Sequence, residues 1–114
     1  GHWIWFIFPQ MKGLGYSSTS MHYGIASLAE AEAYLRHEIL GPRLRDCTSL
    51  VNVIEDRTSD EIFGSVDSMK FRSSMTLFAH AGGEADTAVF REALAKYYGG
   101  DMDPVTLGML ALDA

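Results

Sequence analysis

SVDSMKFRSSMTLFAH, residues 65–80, is the stretch on which the fold turns. At about 3.6 residues per turn, Arg72, Thr76 and His80 fall at i, i+4 and i+8 and share one face, with Ser73 beside it. Phe71, Met75 and Phe78 point in a second direction, and Val66, Leu77 and Ala81 in a third. A helix that is apolar on two sides is internal, so its polar residues need protein partners or a ligand. Ser65 is placed to cap this helix, which should run to about Ala81 and stop at Gly82-Gly83.

Helix punctuation continues in both directions. Downstream, Asp86 is expected to cap a helix with Phe90, Leu94 and Tyr97 inward and Gly99-Gly100 at its end. Asp103-Pro104 opens a last short helix through Leu110. Upstream, Thr58 with Glu61 forms a capping box for a short turn closed at Gly64, and Ser27 with Glu30 forms another. Leu28, Ala31, Leu35 and Ile39 then follow at helical spacing, with Glu32 and Arg36 set for an i,i+4 ion pair. Gly41-Pro42 ends that helix and begins the next, whose stripe is Leu44, Cys47, Val51 and Ile54. No second alternating segment and no Asn-Gly or Asp-Gly turn appears. The fold class expected is all-α: one domain over residues 1–114, an array of about five or six short helices.

The opening GHWIWFIFPQ needs separate treatment. Trp3 to Phe8 has strand composition, but a strand requires partners that the rest of the chain does not offer. A helix apolar on every side is a central one, so the run reads as the last turns of a buried core helix ended by Pro9, with strand as the alternative. The start at Gly1-His2 carries the expectation that sequence upstream is missing. The run is far short of the ~20 residues of a membrane helix and lacks the basic leader of a signal peptide. Pro9 to Gly15 reads as a loop, continued by Ser17 to Ser20.

Totals narrow the function. The net charge of −6 argues against a general nucleic-acid binder, which needs a basic surface. One cysteine allows no intrachain disulfide, so a cytoplasmic location is expected. Lys12-Gly13-Leu14-Gly15 with Ser17 and Ser18 meets neither the Walker nor the dinucleotide pattern and reads as a flexible loop. His37-Glu38 lacks the second histidine of a zinc helix, since position 41 is glycine, and no histidine stands at ligand spacing from Cys47. No metal and no cofactor is expected. Cys47, on an apolar stripe, reads as packing, and Asp60, Glu61 and Asp67 read as helix-start carboxylates. His2 with Trp3 and Trp5 could stack a planar ligand; core packing of the tryptophans is the plainer reading.

The candidate site is therefore residues 65–80, where Arg72 would meet an anion and neighbouring hydroxyls would orient it. The alternative is a structural network in which Arg72 pairs with an internal carboxylate.

HWIWFIFPQ, KGLG, YGIASLAEAEAYL, LGPRL, IFGS and above all KFRSSMTLF resemble the bacterial domain-of-unknown-function family 1810 (DUF1810), sometimes mislabelled calpastatin. The likeness runs from His2 to about Leu107. It implies a small, mainly helical, single-domain protein with a further helix ahead of the HW motif, which this chain lacks. It carries over no activity, substrate or catalytic residue. Its motif positions are His2, Trp3, Trp5, Phe6, Pro9, Gln10, Tyr23, Lys70, Arg72, Ser73 and Ser74. Polar members of that set are costly to bury, which makes Arg72, Lys70, Ser73, Ser74, His2 and Gln10 the ligand-binding candidates. The leading function is a cytoplasmic module for a small anionic or planar ligand, without nucleic-acid or membrane partners. An enzyme on the same residues, with His80 or His2 as acid–base, and a structural or partner-binding domain are the alternatives.

Overall fold

The computed structural model describes residues 3–14 and 18–113, giving the backbone alone for 18–20. Among these it forms eight helices, more than the five or six expected: α1 (Ile4–Ile7), α2 (Ser18–Tyr23), α3 (Leu28–Arg36), α4 (Leu40–Asn52), α5 (Ser59–Phe63), α6 (Ser65–Ala79), α7 (Glu84–Tyr98) and α8 (Pro104–Asp113). The described residues contain no strand, and Met11 and Ile25 make one isolated parallel bridge. None of the described helices is long and apolar enough to cross a membrane.

The central helix is α6, the stretch of mixed polarity. Ser68, Phe71, Ser73, Ser74, Met75, Thr76, Leu77 and Phe78 are all buried, and they point in every direction around its axis. Phe71 packs edge-on to Phe8 at 4.9 Å and stacks on Phe63 at 4.7 Å. Phe78 lies 5.4 Å from Tyr34 and 5.8 Å from Phe90. One side chain after another thus links α6 to α1, α3, α5 and α7, each large ring contributing about 2–3 kcal/mol by burial.

The opening run is helical and ends before Pro9, as expected, but it is not the central, fully buried helix. It makes a single turn, in which Ile4 and Trp5 are buried while Trp3 and Phe6 are 41% and 50% exposed. Phe8 and Pro9 are buried beyond it, and the chain then pairs with Ile25 through Lys12 N–H to Ile25 O and Ile25 N–H to Gln10 O, both 2.7 Å. The correction has a physical cause. Trp and Phe cover surface with one ring face while leaving the other open, so aromatic content alone does not fix depth. Ser18 to Ser20, read as loop, begin the helix α2, and Phe6 meets Tyr23 at its end at 4.8 Å.

Caps explain most helix ends. Thr58 Oγ1 accepts from Glu61 N–H, and the Glu61 carboxylate accepts from Thr58 N–H, completing the expected box. Ser27 Oγ accepts from Glu30 N–H, but the Glu30 carboxylate reaches past the cap to Ala26 N–H. Gly64, at φ +83, separates α5 from α6 and takes the cap position expected for Ser65. Gly83, not Asp86, stands at the start of α7, leaving Asp86 in its first turn. Val66 is exposed on α6 rather than facing inward. Ile39 is exposed too, because α3 ends at Arg36, and the expected Glu32–Arg36 ion pair does not close within 4.0 Å.

The α3–α4 junction is the tightest backbone approach. His37 Nδ1 accepts from the N–H groups of Ile39 and Leu40, both at 3.1 Å, so this histidine opens α4. Gly41 is buried, and a Cβ there would lie 2.1 Å from the Leu35 carbonyl oxygen. Gly41→Ala is expected to destabilise the protein by about 2–3 kcal/mol in urea unfolding, because backbone must move to admit the methyl group.

Candidate functional site

The residues expected to form one site divide between two faces of α6. Arg72 Nε donates to Asp101 O and Nη2 to Met102 O, both at 2.9 Å, and its guanidinium lies 5.9 Å from the Tyr98 ring centre. Thr76 Oγ1 donates to Arg72 O at 2.8 Å and accepts from Asp103 N–H at 2.9 Å. His80 Nδ1 lies 2.8 Å from Thr76 O. Carbonyls of residues 101 and 102, rather than a carboxylate, therefore meet the arginine, and this face clamps the α7–α8 connection. Asp103 then opens α8 by accepting from Thr106 N–H and Thr106 Oγ1.

Lys70 and Ser74 lie on the other side of the helix, with Ser73 between the two faces. Lys70 Nζ stands 3.9 Å from Asp67, the ion pair found within 4.0 Å among the described residues. Ser73 Oγ donates to Met69 O at 3.1 Å. Ser74 Oγ, fully buried, and Gln10 Nε2, on a residue 2% exposed, have no hydrogen-bond partner. His2 lies outside the described residues. Of the tryptophans flanking it, Trp5 is core, while Trp3 stacks on Phe63 at 6.1 Å.

A cleft of about 570 Å³ opens elsewhere, between α3, α4 and the α6–α7 turn. Leu35 and Ala81, both buried, form its apolar floor. Glu32 and Arg36 of α3, Arg45 of α4 and Asp86 of α7 bring charge to its walls, and Gly82-Gly83 forms one edge. Arg45 Nη1 reaches Leu35 O at 3.5 Å, a long contact, and neither arginine has a carboxylate within 4.0 Å. Gly83 is the N-cap of α7, and sterics do not require glycine at either position. Neither is at positive φ, and a Cβ would meet nothing nearer than 3.4 Å at Gly82 and nothing within 4 Å at Gly83. The volume falls in the range of small-molecule pockets.

A family model described as a protein of unknown function, DUF1810, matches residues 1–110. The chain belongs to that family. The DUF1810 chain is also similar to the conserved hypothetical protein Rv1873 from Mycobacterium tuberculosis, whose crystal structure superposes with a TM-score of 0.93. The two are 54% identical, over 97% of this chain and 78% of that one. Among curated proteins, none matches. Kinship thus fixes the DUF1810 fold and leaves its chemistry to the residues.

The cleft did not emerge from sequence reading because its parts looked like punctuation. Gly82-Gly83 reads as a helix stop, and Arg36 as half of an ion pair with Glu32. The available signal was the Gly41-Pro42 break, which brings residues on either side of it into one wall.

Two tyrosines anchor the DUF1810 scaffold around these faces. Tyr98 Oη donates to Ser68 O at 2.6 Å, and burial pushes its pKa above 10.0, against the lowering effect of the Ser68 and Ser59 hydroxyls. Burial raises Tyr34 likewise, opposed by Arg43. Both stabilise the fold while protonated, so their contribution is complete below pH 10 and is lost as pH rises from there through the folded pKa values. Stability measured by urea unfolding should therefore fall above about pH 10, and the fall should flatten in a Tyr34→Phe/Tyr98→Phe variant. Arg72→Ala should cost about 2–3 kcal/mol by the same method, since two carbonyls lose a charged donor.

Proposed function

We propose that this protein is a cytoplasmic small-ligand-binding helical module that holds an anionic group of its ligand in the Arg36–Arg45 cleft. The observation that carries the reading is the pair of guanidiniums on the cleft wall without an acidic partner within 4.0 Å. A guanidinium offers a planar fork of donors suited to carboxylate or phosphate. The glycine edge adds room for a ligand to approach backbone.

A second polar locus, on α6, keeps support from Gln10 and Ser74, whose buried polar atoms lack partners. Lys70, Ser73 and His2 would complete it as first expected, whereas Arg72 is engaged with Asp101 O and Met102 O. Such atoms are satisfied by an internal water or by a ligand group.

A thermal-shift panel of nucleotides, sugar phosphates, small carboxylates and amino acids tests the reading. A ligand at a hundred times its Kd should stabilise the fold by about 2.7 kcal/mol. The response is expected to vanish in Arg36→Ala/Arg45→Ala while that variant stays folded by circular dichroism. A blank panel, or a response retained by the double variant, would remove the cleft from consideration.

A further inference from the structure

The cleft carries more information than its arginines alone. Its walls hold two positive groups, Arg36 and Arg45, and two negative ones, Glu32 and Asp86, and none of the four closes an ion pair within 4.0 Å. Glu32 and Arg36 are one helical turn apart on α3, a spacing at which opposite charges ordinarily meet. Here each remains available to something else.

Charge balance then discriminates among ligand classes. A phosphate dianion held by Arg36 and Arg45 would face Glu32 and Asp86 across the same space, on a chain whose net charge is already −6. A simple cation on the carboxylates would face the guanidiniums. A ligand bearing both signs leaves every charge of the lining opposite its complement, and no charge is desolvated alone. The floor of Leu35 and Ala81 is apolar, which suits a carbon skeleton between the two charged ends.

Resting on the reading above, we propose that the ligand is a zwitterion of the amino-acid type. Its carboxylate lies against Arg36 and Arg45, its ammonium against Glu32 and Asp86, and its side chain on Leu35 and Ala81. No covalent step is involved.

The test uses three matched sets of probes in calorimetric titration: free L-amino acids, their N-acetyl derivatives and their methyl esters. Acetylation removes the positive charge, and esterification removes the negative one. A free amino acid with an apolar side chain is expected to bind about tenfold or more tightly than either blocked form. Glu32→Gln/Asp86→Asn should weaken the free amino acid and strengthen its N-acetyl derivative, opposite directions from one variant. The mutated side chains are at the surface or half-buried, so the unliganded melting temperature should stay within a few degrees. An N-acetyl derivative or a sugar phosphate that binds as well as the free amino acid would overturn the zwitterion while leaving the anion-binding reading intact. Titrations in which none of the three sets binds would overturn the zwitterion, and ones in which Arg36→Ala/Arg45→Ala binds undiminished would overturn both readings.

Discussion

Hydroxyl groups that bond back to the preceding turn of their own helix make this fold possible. Ser73 donates to Met69 O and Thr76 to Arg72 O in α6, and the same i−4 bond recurs at Thr48 in α4 and Thr87 in α7. Each hydroxyl is satisfied without leaving its helix, so it can be buried at little cost. Such residues are also small. A central helix surrounded by neighbours therefore accepts them where Leu or Phe in every direction would hold the neighbours apart. Large rings then occupy the remaining directions, at Phe71 and Phe78, and bind the surrounding helices.

The second constraint is an absence of side chain at Gly41. Because no Cβ intervenes, the first turn of α4 rests on the last carbonyls of α3, and Arg45, one turn further on, leans toward Leu35 O. The same oxygen thus defines both the helix junction and the position of one guanidinium in the cleft. Fold and candidate site share this contact.

Much of the helical order was legible in local chemistry. The Thr58–Glu61 box, the Gly64 break, Pro42 in the first turn of α4 and the Asp103-Pro104 start all rest on residues whose preferences act within one turn. Depth was less legible. WIWFIF is more apolar than MKFRSSMTLF, yet Trp3 and Phe6 sit largely in solvent while the second stretch is the axis of the core. Whether an aromatic ring is covered depends on what arrives from elsewhere in the chain, and no local pattern contains that. The reach of Arg72 to Asp101 and Met102, across about six turns of helix and two connections, is non-local in the same way. So is the cleft, which gathers residues from 32 to 86.

One distant hydrogen bond ties these regions together. Asp113 Oδ2, near the end of α8, accepts from Leu28 N–H at 2.7 Å, across 85 positions of sequence. Ser27 and Glu30 serve other amides at that helix start, so Asp113 supplies the acceptor that local capping does not. The beginning of α3 consequently reports on whether the last helix is seated. If α8 opens locally, Leu28 loses its acceptor and the first turn of α3 frays. Glu32 and Arg36 stand one and two turns further along that same helix. Asp113 thus acts as a clasp on the helix that carries one wall of the cleft.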